Sequence, residues 1–435
     1  MNYRFKNARL LINKKDSHSF DIKKGELWTS ENIISFLGNK EEAEEEIKNK
    51  NINFDEEIDC EGNLLMPGFK NAHTHTAMTF LRSLADDLPL NDWLFKKVFP
   101  KEDKLKEEDI YWLNLLGILE YLTSGITANF DMYFYPPMIA KSSFDAGFRT
   151  VLTSGFNNFG AGIEKVESDY NAVNAMGSDL VSFIIGFHAE YTTSMERMKD
   201  LASLAKKVKS PVFLHNSETK KEVDECVERW GMTPTRLMEE LGMYEYGGGG
   251  YHCVYLSDED IDIMKKRHLY AVTNPSSNLK LASGIAPVKK LLDEGINLAI
   301  GTDGPASNNA LDFFREMYLA AVLPKVREND AAAVSAEEIL YSATNVGAKC
   351  MGLNDCVSIE KGKKADIIMI DLHRPNMQPF NNIIKNLVYA GSKENVKMTM
   401  INGRMLYCDK KFYLKYSPDE IYDRVNDIVN RIKSE

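Results

Sequence analysis

Eight short, mostly apolar runs recur through the middle of this chain of 435 residues, and segments with helical periodicity separate them. The runs are Leu64 to His73, Gly125 to Asp131, Arg149 to Phe156, Val181 to Glu190, Pro211 to Glu218, Gly247 to Leu256, Tyr270 to Pro275 and Ile296 to Asp303. Apolar strands that alternate with amphipathic helices are typical of a parallel sheet covered on both faces. The segment Leu105 to Leu122 shows the helical spacing most plainly.

Eight strand–helix units over roughly 290 residues predict a (β/α)8 barrel, a fold that typically takes about 250 residues and more with insertions. A doubly wound sheet of eight strands is the alternative. No Gly-x-Gly-x-x-Gly motif opens a helix after any of the eight runs, which disfavours the dinucleotide-binding form of that alternative. We therefore expect residues 64–355 to form an α/β domain, a TIM-like barrel.

The two ends of the chain have a different pattern, with short alternating segments broken by charged and turn residues. These segments are Tyr3 to Asn13, Ser19 to Ser30, Asn32 to Gly38, Lys364 to Asp371 and Met398 to Leu406. They predict small antiparallel strands. Neither end is long enough for a core of its own, so we expect residues 1–63 and 356–435 to share one small β-sandwich, followed by a terminal helix.

Charge and hydropathy exclude two classes of partner. The 53 Lys and Arg residues against 64 Asp and Glu residues give a net charge of -11, the wrong sign for binding phosphate backbones or anionic lipid. No apolar run approaches the ~18 residues that a membrane span needs, and the first residues do not resemble a signal peptide. We expect a cytoplasmic protein with neither nucleic acid nor membrane as a partner.

Histidines and acidic residues lie where four of the predicted strands end. The first strand ends in His73-Thr74-His75, the fifth in His215 and Glu218, the sixth carries His252, and the eighth ends at Asp303. In a (β/α)8 barrel the C-terminal ends of the strands converge on one face, where the loops build the active site. We therefore expect these side chains to meet.

Four of these residues make a candidate metal site. His73 and His75 are two positions apart, so both imidazoles point to the same face of an extended strand. With His215 and Asp303 they supply the nitrogen and oxygen ligands that a zinc-like cation prefers. Four protein ligands and one water would make the site five-coordinate.

Glu218 and His252 adjoin this set without being needed as ligands. A carboxylate near an activated water can move its proton to the leaving group, so Glu218 is the predicted general acid and base. The alternative for Glu218 is a cap on the helix that begins at Thr219. His252 is predicted to polarise the atom under attack, or otherwise to pack beneath Tyr251. Asp303 can also accept a proton from the water and return it to the departing amine.

The same segments resemble a known family. Pro67 to His75, His215 to Glu218, His252, Asn274 to Leu281 and Gly301 to Asn309 look like motifs of the amidohydrolase superfamily. Within it the chain is most similar to the 5'-methylthioadenosine/S-adenosylhomocysteine deaminases and the related chlorohydrolases. The resemblance covers nearly the whole chain, including the β-sandwich built from both ends.

The resemblance implies a mononuclear site at the four residues named above, with Glu218 and His252 as the catalytic pair. Members with two metals usually bridge them with a carboxylated lysine at the end of strand four, and here that strand ends Gly186-Phe187-His188-Ala189-Glu190, with no lysine. We therefore expect one divalent ion, with Zn²⁺ as the first choice and Fe²⁺ or Mn²⁺ as alternatives.

The resemblance also places Trp93, Glu102 and His188 in a nucleoside pocket, with Glu102 at the ribose hydroxyls and His188 at the purine ring. From the residues alone, Glu102 could equally belong to a solvated charged run and Trp93 to the core. Relatives that accept S-adenosylhomocysteine bind its carboxylate with arginines after strand three. This chain has no arginine between residues 149 and 197, and Ser154 stands at the expected position.

The expected function is hydrolytic deamination of an adenosine-like nucleoside with release of ammonia. 5'-Methylthioadenosine or 5'-deoxyadenosine fits better than S-adenosylhomocysteine, because the arginines are missing. One alternative keeps the metal but changes the ring substrate to guanine, a pterin, cytosine or a halogenated triazine. A non-catalytic metal-binding protein would need degenerate catalytic positions, whereas Glu218 and His252 are both present. The resemblance further implies a homo-oligomer.

Overall fold

The structure is a computed structural model that describes residues 1–15, 17–50, 52–84, 86–88 and 90–435, with only the backbone at 90 and 91. The strands are β1 (Tyr3–Asn13), β2 (Phe20–Ser30), β3 (Ile33–Gly38), β4 (Glu56–Asp59), β5 (Leu64–Pro67), β6 (Phe69–Thr74), β7 (Ile126–Met132), β8 (Arg149–Thr153), β9 (Val181–Phe183), β10 (Ile185–Ala189), β11 (Val212–Asn216), β12 (Gly248–His252), β13 (Tyr270–Thr273), β14 (Asn297–Ile300), β15 (Ile367–Ile370), β16 (Val396–Ile401), β17 (Arg404–Cys408) and β18 (Lys411–Phe412).

The α-helices are α1 (Lys40–Lys50), α2 (Leu90–Trp93), α3 (Phe99–Glu102), α4 (Glu107–Thr123), α5 (Pro136–Ala146), α6 (Ile163–Asn174), α7 (Met195–Val208), α8 (Lys220–Trp230), α9 (Pro234–Glu240), α10 (Asp258–Lys266), α11 (Pro275–Lys280), α12 (Val288–Asp293), α13 (Phe313–Glu328), α14 (Ala336–Tyr341), α15 (Gly347–Cys350), α16 (Ile383–Tyr389) and α17 (Pro418–Ser434). Single π-turns occupy Leu94–Val98 and Ser342–Val346. Short 3₁₀ turns occupy Thr76–Leu81, Glu190–Thr192, Asn354–Cys356, Pro375–Met377 and Lys393–Asn395.

The central region is built from parallel strands in chain order. Strands β6 to β9 form a 4-stranded sheet and β10 to β14 a 5-stranded sheet, and helices occupy most connections between them. β9 and β10 are separated by Ile184 alone, so they occupy one of the eight predicted runs. The prediction of an α/β region with parallel strands is therefore confirmed, and the helix predicted over Leu105 to Leu122 is α4.

The first predicted run, Leu64 to His73, is two strands instead of one. β5 pairs antiparallel with β15 in a different sheet, and the chain enters β6 after Gly68. A Cβ at Gly68 would lie 2.1 Å from the Thr127 Cγ2 atom, so only glycine fits where the chain changes sheets. The apolar run continues across this change because both strands are buried.

The two ends of the chain share one 9-stranded sheet, in the order β18-β17-β16-β15-β5-β1-β2-β3 with β4 beside β1. Its residues alternate between two apolar clusters: Leu64 and Met66 belong to the main core, and Leu65 belongs to a smaller cluster. The terminal helix α17 is present, and its Ile421, Val425, Ile428 and Ile432 join the main core at helical spacing. The two ends of the chain therefore pair with each other in one sheet.

None of the helices in the described ranges combines the length and the apolar character that crossing a lipid bilayer requires.

Candidate active site

The four predicted ligands converge at the C-terminal ends of the parallel strands. His73 lies in β6, His75 follows that strand, His215 lies in β11, and Asp303 comes three residues after β14. The Nε2 atom of His75 is 3.3 Å from His215 Nε2 and 3.3 Å from Asp303 Oδ1. The Nε2 atom of His73 is 3.5 Å from the same Asp303 oxygen. Residues separated by up to 230 positions in the chain thus meet, and their donor atoms form two overlapping groups that could hold a cation: His73 with His75 and His215, and His73 with His252 and Asp303.

Hydrogen bonds at the far side of the rings aim two of these imidazoles inward. His75 Nδ1 donates to the Met132 carbonyl at 2.5 Å, and His215 Nδ1 donates to the His188 carbonyl at 2.7 Å. Each bond fixes the tautomer in which Nε2 carries a lone pair. The nitrogens that face the centre therefore carry lone pairs that could bind a cation.

The surroundings of His73 show whether a cation would fit among these residues. Its side chain is fully buried, and neither ring nitrogen has a hydrogen-bond partner among the described residues. Burial lowers the pKa of His73 to about 3, so the ring is neutral near pH 7. A buried polar group without a partner is costly, and a metal ion would supply the missing interaction. The donor set fits a divalent cation.

Backbone strain is concentrated at the same strand ends. Ser217, His252, Cys253 and Asp303 all have positive φ values, between 51° and 70°. Such conformations are uncommon outside glycine and gather at functional sites, where the surroundings hold them. At Asp303, the Ser277 hydroxyl donates to Oδ2 at 2.5 Å and the Gly304 amide to Oδ1 at 2.8 Å. The carboxylate is therefore held in one orientation.

Glu218 and His252 form a buried pair beside the four ligands, with 3.8 Å between Glu218 Oε2 and His252 Nε2. The helix-cap alternative for Glu218 does not hold, because the Thr219 side chain caps α8. Nor does His252 pack beneath Tyr251. The Tyr251 ring stacks on His73 with 3.8 Å between centroids.

Glu222 is a residue that sequence reasoning missed. Its carboxylate accepts hydrogen bonds from the backbone amides of Ser217 and Glu218, each at 2.8 Å. These bonds hold the turn that carries Glu218. Burial, and then the nearby Glu218 charge, raise the pKa of Glu222 to about 7. The pattern Thr219-x-x-Glu222 was the available signal, since it resembles a helix-capping box.

The three residues predicted to bind substrate occupy different surroundings. Glu102 is only 7% exposed, which contradicts the solvated-run alternative. The Tyr133 hydroxyl donates to its Oε1 at 2.6 Å, and burial raises the pKa of Glu102 to about 7. Tyr133 in turn lies 6.5 Å from the His75 ring, which links Glu102 to the ligand set.

His188 lies close to the ligands, with its ring centroid 4.8 Å from that of His215 and its Nδ1 bonded to Thr192 Oγ1 at 2.9 Å. Trp93 is buried in the main core, and its indole nitrogen has no hydrogen-bond partner among the described residues. The structure therefore brings His188 and Glu102 towards the site. A role for Trp93 stays a prediction.

A model of the amidohydrolase family matches residues 64–406. The chain belongs to this family. Amidohydrolases are metal-dependent, and the coarse prediction of a metal-dependent site agrees with membership. The prediction of a hydrolase that acts on carbon–nitrogen bonds is confirmed by this match and by relatives named as deaminases.

Two curated relatives share the name 5-methylthioadenosine/S-adenosylhomocysteine deaminase. The protein from Caldanaerobacter subterraneus subsp. tengcongensis is 42% identical over 356 residues, which cover 80% of this amidohydrolase and 82% of the relative. The one from Thermoanaerobacter pseudethanolicus is 39% identical over 413 residues, 93% of this chain and 94% of the relative. Among solved structures, an adenosine deaminase from Xanthomonas campestris with bound zinc has a TM-score of 0.90 at 29% identity, covering 99% of each chain.

Proposed function

We propose that this amidohydrolase is a metal-dependent deaminase that replaces the ring amino group of an adenosine-like nucleoside by oxygen and releases ammonia. The observation that carries the proposal is the convergence of His73, His75, His215 and Asp303 beside the buried pair of Glu218 and His252. The names of the curated relatives support the same substrate class.

We infer that the four ligands hold one divalent ion and that zinc is the first choice, because three imidazoles and one carboxylate suit it. The zinc in the structural relative supports this choice. When bound, the ion would act as a Lewis acid and lower the pKa of a water molecule to about 7.

The chain's own groups would move the protons. Glu218 Oε2 is the atom that would protonate the ring nitrogen, since Oε1 already accepts the Ser283 hydroxyl at 2.8 Å. His252 Nε2 faces Glu218 and, with its lone pair, would briefly hold a proton that passes between the attacking water and the other two groups. Asp303 would take the remaining proton and return it to the leaving amine.

Substrate binding would use the residues around these groups. Glu102 would accept hydrogen bonds from the ribose hydroxyls, and His188 would contact the purine ring. Ser154, whose oxygen accepts a hydrogen bond from the Phe156 amide at 3.0 Å, offers a carboxylate tail one neutral hydroxyl in place of a charged, two-pronged guanidinium. We therefore infer that 5'-methylthioadenosine or 5'-deoxyadenosine is preferred over S-adenosylhomocysteine.

We infer that the parallel strands close into a barrel within residues 64–355. The Asp303 amide donates to the His73 carbonyl at 3.0 Å, which joins the last strand to the first, and Phe156 and Phe187 bridge the two sheets. We also infer that the end sheet, residues 1–63 and 356–435 with β5, folds over its small apolar cluster as a sandwich. Homo-oligomerisation, the absence of a nucleic-acid partner and a cytoplasmic location stay predictions.

The test is a spectrophotometric panel on zinc-loaded protein with 5'-methylthioadenosine, 5'-deoxyadenosine, adenosine, S-adenosylhomocysteine, guanine and cytosine. We expect the first two to react fastest and S-adenosylhomocysteine slowly. Mass spectrometry separates exchange of an amino group from ring opening, which adds a whole water. Silence on every adenosine analogue would refute the substrate proposal, and reaction with guanine or cytosine would favour another ring substrate.

The Glu218→Gln variant separates a catalyst from a protein that only binds metal. We expect it to keep its metal and to lose turnover by ~10²–10⁴, the usual contribution of general acid–base catalysis. Unchanged turnover would show that Glu218 does not transfer a proton.

A further inference from the structure

The loop after β13 closes into a tight, buried turn over residues 278–284. The Ser283 amide donates to the Asn278 carbonyl at 2.8 Å, and Ala282 has a φ of 55°. At Gly284, where φ is +131°, a Cβ would lie 3.0 Å from the Tyr255 hydroxyl, so the turn needs glycine there. Asn278 and Ser283 are both buried. Their side chains are therefore held at fixed places.

The two side chains contact the proposed proton-transfer pair from its outer side. Asn278 Oδ1 accepts from His252 Nδ1 at 2.7 Å, and Ser283 Oγ donates to Glu218 Oε1 at 2.8 Å. Glu218 Oε2 and His252 Nε2 are left facing each other. One turn thus binds the outer atom of each partner and leaves the inner atom available to substrate.

We propose that Asn278 and Ser283 are positioning residues for the reaction, an inference that rests on the proposed function. Asn278 selects the tautomer of His252 with the proton on Nδ1, so that Nε2 faces the reacting atoms. Ser283 fixes the carboxyl rotamer of Glu218, so that Oε2 is the atom that transfers the proton. Ser277, in the same loop, holds Asp303 in the same manner. The loop therefore orients all three groups that move protons.

The turn does not depend on the Ser283 side chain for its closure, because the closing bond uses backbone atoms. Truncating Ser283 should therefore preserve the fold and disturb the rotamer of Glu218. A purely structural serine would instead affect stability and leave the ratio of kcat to KM unchanged.

The kinetic test uses whichever substrate the wild-type protein deaminates. We expect Ser283→Ala to lower kcat about tenfold with KM within about twofold, the size of one lost hydrogen bond to a charged group. Ser283→Thr keeps the hydroxyl and should recover most of kcat. The matched control is Ser203→Ala, since the exposed Ser203 hydroxyl donates to the Lys199 carbonyl within α7. A loss in kcat that Thr does not recover would overturn the role of the hydroxyl.

A double-mutant cycle shows whether Ser283 acts through Glu218. In the Glu218→Gln background, Ser283→Ala should change kcat by less than about twofold, because the carboxylate it orients is gone. An undiminished tenfold loss in that background would overturn the proposal.

The tautomer is read without any turnover, so the result does not depend on the proposed function being right. In ¹⁵N-histidine-labelled full-length protein, assigned with a His252→Gln variant, we expect the His252 proton on Nδ1. Asn278→Leu should shift the population towards Nε2–H, and Asn278→Asp, which keeps the acceptor, should not. A wild-type signal from the Nε2–H tautomer, or no difference between the Leu and Asp variants, would overturn the role of Asn278.

Discussion

The parallel strands carry buried charged or ionisable groups at both ends, and the two sets differ in their bonding. At the start of β8, Arg149 forms two hydrogen bonds to the Asp366 carboxylate, at 2.7 and 3.0 Å, and the Asn402 amide also donates to Asp366. At the end of β6, His73 is equally buried, yet neither ring nitrogen has a partner among the described residues. The satisfied pair at Arg149 joins parts of the chain, whereas the imidazole of His73 leaves both nitrogens available to a ligand.

Strand β6 shows the contrast within a few residues. Lys70, near its start, donates to the Gly68 carbonyl at 2.9 Å and to Thr127 Oγ1 at 2.6 Å, and burial lowers the pKa of its amine. His73 lies three residues later on the same strand. We call the N-terminal ends of these strands the base and the C-terminal ends the mouth. The base serves the fold, and the mouth serves the chemistry.

The largest expected effect comes from changing the mouth. His73→Leu removes one predicted ligand but unpairs no hydrogen bond, and leucine fills a similar volume. We expect bound metal to fall well below one ion per chain and turnover to drop at least about 10⁴-fold, because without the cation the pKa of water lies far above the value of about 7 that a bound metal gives it. Elemental analysis, kinetics and thermal unfolding of the metal-free protein are the measurements.

The metal-free His73→Leu variant should unfold at the same temperature as metal-free wild type, or at a higher one. Chelation of the wild-type protein should abolish turnover, and added zinc should restore it. Full metal content in the variant, or a marked loss of stability in its metal-free form, would show that His73 serves the fold as the base does.

Changing the base should do the reverse. Arg149→Met leaves the Asp366 carboxylate buried without its cation, which typically costs about 3–5 kcal/mol of unfolding free energy. The kcat of the folded protein should stay within about twofold of wild type, because no proposed catalytic group touches this pair. Urea unfolding and single-substrate kinetics measure the two quantities. A double variant, Arg149→Met with Asp366→Leu, is the control and should regain part of the lost stability.

The pH dependence of stability should have opposite signs for a carboxyl at the base and one near the mouth. Burial opposes ionisation of Asp366, but the Arg149 charge outweighs it and lowers the pKa to about 2. Its stabilisation is present above the unfolded pKa of 3.8 and is lost as pH falls through 2. At ~1.36 kcal/mol per pKa unit the loss is about 2–3 kcal/mol.

Glu316 supports the loops at the mouth, where it accepts from the Ser276 amide at 3.0 Å and from Asn308 at 2.7 Å. Burial raises its pKa from 4.5 to about 7, so its contribution is most favourable below pH 4.5 and is lost as pH rises through 7. The test measures the unfolding free energy of metal-free wild type and of the Asp366→Asn and Glu316→Gln variants between pH 2.5 and 8. The difference between each variant and wild type gives the contribution of that carboxyl at each pH. Two contributions that change in the same direction with pH would contradict the opposite pKa shifts of Asp366 and Glu316.

Much of the mouth was predictable because its key residues stand at strand ends, and strand ends of a parallel sheet converge. Once the apolar runs are identified as strands, their ends predict the meeting of His73, His75, His215 and Asp303. The change of sheet at Gly68 was not predictable, because an apolar run looks the same whether one sheet or two bury it.

The residues that orient the mouth could not be found in this way. Glu222, Asn278 and Ser283 act through turns with left-handed backbone, and which atoms meet there depends on three-dimensional closure of the loops. Glu102 was ambiguous for a related reason. Its charged neighbours suggested solvent, whereas its burial is accompanied by a hydrogen bond from the Tyr133 hydroxyl, which the loop after β7 supplies.

The smallest expected effect concerns Lys280, which ties the mouth loops together at the surface. Its amine contacts Asp86 and Asn309 and lies 3.3 Å from the Ala306 carbonyl, so it joins the loops after β6, β13 and β14. The ion pair is partly exposed, and such pairs contribute about 0.2–1 kcal/mol to stability. Lys280→Met should therefore change stability by no more than this.

The same substitution should raise KM about two- to fourfold, with kcat nearly unchanged, because a looser loop weakens binding by ~0.4–0.8 kcal/mol. Lys289→Met is the matched control, since Lys289 pairs with Asp293 inside α12. Kinetics at several salt concentrations would measure the effect, which should shrink as salt screens the pair. A fall in kcat comparable with that of Ser283→Ala would show that Lys280 helps to orient the catalytic groups. Catalytic positioning would then extend from the buried turn to an ion pair at the surface.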